Sequence, residues 1–239
     1  MKIEIIKCLQ DNYSYLIIDE TSQDACVVDP GEASPIINFV EKNNINLKFI
    51  LNTHHHYDHI GGNIELKKKY SSNIVGFSGD KNRIPEIDTL IKDEEIWKRN
   101  NFEAKIYHIP GHTNGHIAFH FFKEKKIFTG DTLFSLGCGR IFEGTYEQMF
   151  NSLNKIKKLP KDTEIYCGHE YTLQNSNFCI ANDTNNLQLK NMIIKIKEKI
   201  HNGLPTIPTT LENEIKCNIF LKAKDVESFS KLRDLKDNF

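Results

Sequence analysis

The segment THHHYDHIGGN places four histidines and an aspartate close together in the chain. Imidazole nitrogens and a carboxylate oxygen form a ligand set suited to zinc, iron or manganese. His54 and His56 alternate, so in an extended segment they face one way and His55 faces the other. Asp58 and His59 come after the turn and can point at a second, adjacent centre. The segment therefore predicts a metal site.

Three later positions offer ligands of the same kind, each just past a predicted strand. His112 follows EAKIYHI, Asp131 ends IFTGD, and His169 ends the run IYCGHE. Loops after strands can converge at one edge of a sheet. The candidate metal ligands are thus His54, His56, Asp58, His59, His112, Asp131 and His169. This set is large enough for two metals that share one carboxylate.

Short strand-like runs are the elements that must position these ligands. They include ACVVD, LKFIL, EAKIYHI, KKIFTG and TEIYCG, and helix-like stretches such as Ser34–Asn43 lie between them. Strands that alternate with helices predict sheets covered by helices. Because LKFIL ends just before the histidines, we expect residues 54–59 on the loop after a strand, with a helix opening around Gly61-Gly62.

The pattern changes to helical from Tyr171 onward. Apolar residues recur at helical spacing in NNLQLKNMIIKIKEKIH and DVESFSKLRDLKD, and the Gly/Pro-rich connector NGLPTIPTT separates these two stretches. The sequence therefore predicts a mixed α/β domain over residues 1–172 and a helical domain over residues 173–239.

Composition excludes several classes of partner. The chain of 239 residues has a formal net charge of -1 and no basic patch with aromatic residues, so neither a nucleic acid nor an anionic membrane is expected as a partner. No apolar run approaches the ~18 residues of a membrane span, and the strand-like pattern at the start of the sequence leads us to expect no leader. The six cysteines show no CxxC pair and are expected to be reduced packing residues. We expect a cytoplasmic monomer.

The HxHxDH motif, with the three later ligands, resembles the metallo-β-lactamase superfamily. The resemblance implies an α/β fold, the αββα metallo-β-lactamase sandwich, here with a C-terminal helical domain. It also implies two divalent metal ions, zinc first, with iron or manganese as alternatives. By analogy, the ligands are His54, His56 and His112 for one metal, Asp58, His59 and His169 for the other, and Asp131 as the bridge. A hydroxide held between the metals would be the nucleophile, oriented by Asp58 as a catalytic residue.

Three further stretches resemble the hydroxyacylglutathione hydrolase (glyoxalase II) family. These are GDTLFSLGCGRIFEGTYEQM, CGHEYT and the C-terminal NIFL…LRDLKDNF. The family hydrolyses S-D-lactoylglutathione to D-lactate and glutathione, the second step of methylglyoxal detoxification, so the implied partner is a small glutathione thioester. The implied substrate contacts are Arg140, Phe142, Tyr171, Arg233 and Lys236.

The pair Arg233 and Lys236 lies three residues apart, hence on one face of the terminal helix, where it can clamp the glycine carboxylate of glutathione. Phe142 stands where some members have a tyrosine, so one hydroxyl contact is expected to be missing. The resemblance makes residues 1–172 the catalytic domain and 173–239 the glutathione-binding domain. Two alternatives remain: a single-iron glutathione persulfide dioxygenase of the same fold, and a non-catalytic binding module.

The other histidines have simpler interpretations. His55 is expected to face away from the metals, and His108 and His120 fall within strand patterns. His116 is either a strand neighbour or a residue that supports the metal ligands. His201 ends a predicted helix, where a cation suits the helix dipole.

Overall fold

The computed structural model describes the whole chain, Met1–Phe239. It divides into two units of different make-up. The first unit comprises Met1–His108 with Gly115–Glu124, and the second comprises Ile109–Asn114 with Lys125–Phe239.

A mixed six-stranded sheet forms most of the first unit. Its strands follow chain order: β1 (Lys2–Cys8), β2 (Asn12–Ile18), β3 (Asp24–Val28), β4 (Asn46–Leu51), β5 (Asn73–Phe77) and β6 (Thr89–Ile91). The first three strands pair antiparallel, and β3 to β6 pair parallel. Leu16, Val27 and Ile50 are fully buried in the core beside this sheet. The parallel half needs helical crossovers, which is why the chain alternates strand and helix here.

Three helices and a strand meander complete the first unit. The helices are α1 (Ser34–Lys42), α2 (Tyr57–Ile60) and α3 (Asn63–Tyr70), and the antiparallel meander consists of β7 (Ile96–Arg99), β8 (Phe102–His108) and β9 (Ile117–Phe121). The strand and helix predictions for this part are confirmed within one or two residues, apart from residues 57–60. The short strands β6 and β7 were not predicted.

A second mixed sheet lies in the second unit. Strand β10 (Lys126–Gly130) pairs parallel with β13 (Glu164–Cys167), which pairs antiparallel with β14 (Thr209–Thr210). Strands β11 (Leu133–Phe134) and β12 (Gly137–Cys138) form a separate hairpin.

Helices make up the rest of the second unit. They are α4 (Tyr146–Lys157), α5 (Thr172–Asn182), α6 (Leu187–His201), α7 (Leu211–Cys217), α8 (Ile219–Lys222) and α9 (Val226–Asp237). Of these, α5, α6 and α9 were predicted, whereas α4, α7 and α8 were not. Capping boxes at Thr145 and Asp225 begin α4 and α9, because each cap side chain accepts the backbone N–H three residues on. All six cysteines are buried and free, which confirms them as packing residues. None of the helices has the length and apolar character needed to cross a membrane.

The turn between β11 and β12 is fastened to α7 by a buried carboxylate. The Leu136 N–H donates to Glu214 Oε2 at 2.7 Å, Thr209 Oγ1 donates to Oε1 at 2.9 Å, and Asn218 Nδ2 donates to Oε2 at 3.0 Å. Glu214 is completely buried. Desolvation raises the pKa of Glu214 to about 7, and the donated hydrogen bonds offset only part of that rise.

Replacing this carboxyl should change how stability depends on pH. A folded-state pKa above the ordinary 4.5 means that the folded chain holds a proton which the unfolded chain releases. Its contribution to the free energy of unfolding is therefore complete below pH 4.5 and is lost as the pH rises through about 7. The difference in the free energy of unfolding between Glu214→Gln and wild type should therefore shift by roughly 3 kcal/mol in favour of the variant from pH 5 to pH 8. Urea unfolding at several pH values measures this gain, and a constant difference would contradict it.

Candidate metal centre

The histidine-rich segment of the first unit begins as a loop and ends in one helical turn. His54, His55 and His56 follow β4 outside any helix or strand, but Asp58 and His59 lie on α2. The prediction of a loop through residue 59 was therefore wrong. The helical turn closes because the His59 N–H donates to the His56 carbonyl at 2.9 Å. Asp58 and His59 therefore lie on a helix, whereas His54 lies in the loop before it.

The four predicted ligands of the first unit lie together. The ring centroid of His54 is 4.7 Å from that of His56 and 4.2 Å from that of His59. The Nε2 atom of His59 is 3.4 Å from Asp58 Oδ2. His54 and His59 are buried, whereas His56 and Asp58 are partly exposed, so solvent reaches one side of the cluster.

A carboxylate that the sequence analysis missed orients two of these imidazoles. Asp29 Oδ2 is 3.0 Å from His59 Nδ1 and accepts the Thr53 hydroxyl at 2.6 Å. That hydroxyl oxygen lies 3.0 Å from His54 Nδ1. Because its own proton goes to Asp29, the Thr53 oxygen accepts from His54, so both histidines carry the proton on Nδ1. Asp29 directly follows strand β3, the same signal that identified Asp131.

The remaining histidines behave as their positions indicate. His55 Nδ1 lies 3.4 Å from the buried carboxylate of Asp80, and His108 and His120 lie in β8 and β9 as predicted. Burial lowers the pKa of His120 to about 4. The His116 ring stacks on His54 with centroids 4.6 Å apart and 17° between the planes, which supports the interpretation that His116 steadies a ligand.

The second unit brings its three predicted ligands together around Asp131. The Oδ2 atom of Asp131 lies 3.2 Å from His169 Nε2 and 3.6 Å from His112 Nε2. All three side chains are buried. His112 Nδ1 lies 2.7 Å from the Arg140 carbonyl, which can only accept, so Nδ1 carries a proton and Nε2, on the Asp131 side, is the nitrogen that can bind a metal.

The donor chemistry fits a divalent metal. Three buried imidazoles, those of His54, His59 and His112, give their Nδ1 protons to oxygen acceptors, which leaves Nε2 as the ligand atom. This arrangement of an oxygen acceptor behind each ring is typical of metal-binding histidine. With carboxylates beside the Nε2 atoms, each cluster is suited to hold a metal ion such as zinc.

The second glycine of GCGR is required by close packing behind Asp131. A Cβ atom on Gly139 would lie 1.8 Å from the Asp131 carbonyl oxygen. The Gly139 N–H donates to the Thr132 carbonyl at 3.1 Å. This close approach brings the next residue, Arg140, to where its carbonyl accepts from His112.

Two aromatic rings cover the histidines of the second unit. The Tyr171 ring stacks on His169 with centroids 4.7 Å apart and 3° between the planes. Phe142 packs edge-on to His112, with ring centroids 5.1 Å apart, and is 61% exposed. The Phe142 ring therefore lies at the surface beside His112 and is not part of the core.

Two of the predicted cations, Arg140 and Arg233, contact the same aspartate, Asp237, which the sequence analysis missed. Arg140 Nε donates to Asp237 Oδ1 at 3.2 Å, and Arg233 donates to the same oxygen at 2.9 Å. Arg233 is buried and also donates to the Cys138 carbonyl at 2.7 Å. Its Nε–H is buried without a hydrogen-bond acceptor. The protein itself therefore offers this donor no acceptor.

Lys236 lies one turn from Arg233 on α9. Its ammonium lies over the rings of Phe178 and Phe239, 5.3 Å and 5.5 Å from their centroids. Burial, and then the nearby charge of Arg233, lower the pKa of Lys236. A partly desolvated cation of this kind interacts strongly with an incoming carboxylate.

Comparisons with known proteins cover the whole chain. Residues 10–169 match the model of the metallo-beta-lactamase superfamily, and residues 170–239 match the model of the hydroxyacylglutathione hydrolase C-terminus. A hydroxyacylglutathione hydrolase of Pelagibacter ubique is 64% identical over 239 residues, with 100% of both chains covered. One from Methylococcus capsulatus is 38% identical, with 100% of this chain and 99% of that protein covered.

Among solved structures, ETHE1 from Myxococcus xanthus is similar, with a TM-score of 0.75 and 22% identity. The match covers 98% of this chain and 90% of that one. At this identity the likeness shows the metallo-β-lactamase fold and nothing about the reaction.

Proposed function

Because this chain belongs to the hydroxyacylglutathione hydrolase family, we propose that it hydrolyses S-D-lactoylglutathione to D-lactate and glutathione with two divalent metal ions. The observation that carries the proposal is the pair of His/Asp clusters. Solvent reaches one side of the first cluster and the second is buried. Three of their histidines, His54, His59 and His112, have an oxygen acceptor beside Nδ1, which leaves Nε2 to bind metal. A chain similar to its relatives along its full length, with these clusters in place, is suited to the family's reaction.

We assign the metal ligands as the family pattern implies. They are His54, His56 and His112 for one metal, Asp58, His59 and His169 for the other, and Asp131 shared between them. The position of Asp131 Oδ2 beside two Nε2 atoms supports the shared role. Zinc is the proposed metal on the basis of the nitrogen-rich ligand set, with iron or manganese as alternatives.

The metals, when bound, lower the pKa of water to about 7 and polarise the thioester carbonyl. Asp58 is 38% exposed, so its carboxylate can accept a hydrogen bond from the attacking water and orient it towards the carbonyl carbon. The glutathione thiol, with an ordinary pKa of about 8.5, leaves without prior protonation. The reaction therefore needs no general acid, which agrees with a site whose histidines are committed to metal.

Glutathione carries two carboxylates, and the cations of the second unit are suited to them. Arg140 is 57% exposed, and we propose that it contacts one carboxylate. Arg233 and Lys236, one turn apart on α9, bind the glycine carboxylate. Tyr171 and Phe142 contact the peptide beside the histidines. Residues 1–172 are then the catalytic domain and residues 173–239 the glutathione-binding domain, in a cytoplasmic monomer.

A matched pair of thioesters tests the proposal. The metal-loaded protein should release thiol from S-D-lactoylglutathione with a kcat/KM at least ~100-fold above that for the D-lactoyl thioester of N-acetylcysteamine. The second substrate presents the same acyl group without carboxylates, so it lacks roughly 3 kcal/mol of charge-assisted contacts. If neither thioester is hydrolysed, the proposal is wrong. Equal kcat/KM values would contradict glutathione recognition.

A further inference from the structure

Asn12 contacts the one proposed ligand that is also assigned a role in orienting water. It begins strand β2, is only 6% exposed, and lies far from the histidine segment in the sequence. Its Nδ2 donates to Asp58 Oδ2 at 2.9 Å and to the Asp58 backbone carbonyl at 3.1 Å. One amide nitrogen thus contacts both the carboxylate and the main chain of the same residue, which fixes the direction of the side chain between them.

The backbone of Asp58 needs such a clamp because α2 is only one turn long. A helical turn of this length does not hold its shape by itself. On one side of the turn, Gly31 packs so closely that a Cβ atom there would lie 2.3 Å from the Asp58 carbonyl oxygen. Just after it, the Gly62 N–H donates to the Pro30 carbonyl at 2.8 Å. Asn12 also contacts this turn, and unlike Gly31 and Gly62 it contacts the Asp58 carboxylate as well as the backbone.

We propose that Asn12 is a positioning residue for the reaction: its side-chain amide holds Asp58 Oδ2, so that the Asp58 carboxylate is presented in one orientation to metal and water. The inference rests on the proposed function, in which Asp58 binds metal and orients water. Asn12 itself binds neither the metal nor the water, but it determines the orientation in which Asp58 binds them.

The chemistry of an amide suits this role. Asn12 donates hydrogen bonds without adding a charge, so it orders the carboxylate and leaves its negative charge for the metal. A lysine in its place would compete with the metal by charge. An aspartate of the same shape would replace the donor by an acceptor and face Asp58 Oδ2 with a like charge. Asn12→Asp is therefore the more damaging substitution, and Asn12→Ala, which removes the donor without adding a charge, is the milder one.

The test uses the full-length protein reconstituted with zinc. The metal affinity of each site is measured by chelator competition, and kcat and KM are measured with S-D-lactoylglutathione. Asn12→Ala should weaken one of the two metals by about 10–100-fold, as expected for a residue behind a ligand, and leave the other unchanged. It should lower kcat with little change in KM, and Asn12→Asp should do so more strongly. Asn46→Asp, the same change at the exposed start of β4, is the control and should match wild type.

Unchanged site-specific affinity and kcat in the Asn12 variants would overturn the inference. So would the parallel loss of both metals with a large fall in the melting temperature of the metal-free protein, because that result assigns Asn12 a purely structural role. If both variants fail to fold, the same conclusion holds. The proposed function fails separately, through wild-type protein that does not hydrolyse the thioester, and the affinity measurement still tests Asn12 in that case.

Discussion

Asp131→Ala should abolish thioester hydrolysis and lower the metal content of the protein. The Asp131 carboxylate lies between the Nε2 atoms of His169 and His112, at 3.2 Å and 3.6 Å, and it is buried with them. Its removal takes one ligand from each proposed metal and leaves two imidazoles without the negative charge that they share. We expect kcat/KM to fall by more than the ~10–100-fold that is typical for residues behind a ligand.

Steady-state kinetics and elemental analysis of the same preparation check this expectation. Asp131→Asn keeps the shape and removes the charge, so it should show nearly the full loss. Asp162→Ala is the matched control, since Asp162 is an exposed aspartate of the same unit paired with Lys125, and it should behave as wild type. Full activity with two metals bound in Asp131→Ala would show that this carboxylate does not bridge.

Arg233→Ala should raise KM for S-D-lactoylglutathione and leave both metals bound. The Arg233 guanidinium is fixed by the Cys138 carbonyl and by Asp237, and in our proposal it also contacts the glycine carboxylate of the substrate. A hydrogen bond between charged groups contributes about 1.5–3 kcal/mol, which corresponds to a KM increase of roughly 10–100-fold. Because the contact lies away from the reacting carbonyl, kcat should change little.

Two comparisons separate recognition from general damage. Lys231→Ala removes an exposed cation of the same helix, paired with Glu227, and should leave KM unchanged. The N-acetylcysteamine thioester has no carboxylate for Arg233 to contact, so its kcat/KM should be the same in Arg233→Ala and wild type. If KM for the glutathione ester does not change, Arg233 only supports the fold.

The regular elements of the fold were predictable because apolar spacing is visible over five or more residues. Strands β4, β8 and β10 and helices α6 and α9 lie where the sequence indicated. Strands β6 and β14 have three and two residues, too few to show any period. The one-turn helix α2 was mistaken for a loop for the same reason.

The proposed ligands were predictable from residue type, whereas the residues that orient them were not. Histidine and aspartate residues directly after strands indicate a metal site, because the loops that carry them can converge at one edge of a sheet. Asn12 and Asp237 are single polar residues with no spacing pattern, and only the folded chain brings them to Asp58 and Arg140. Asp29 could have been identified, because it is a carboxylate directly after a buried strand, but no histidine lies next to it in the sequence to draw attention to it.

The most direct test measures metal content and S-D-lactoylglutathione hydrolysis on one sample of purified protein. The account predicts two divalent metal ions per chain, and thiol release that is lost on chelation and restored when metal is returned. One iron per chain, with oxygen consumption on glutathione persulfide and no thioester hydrolysis, would contradict the central claim.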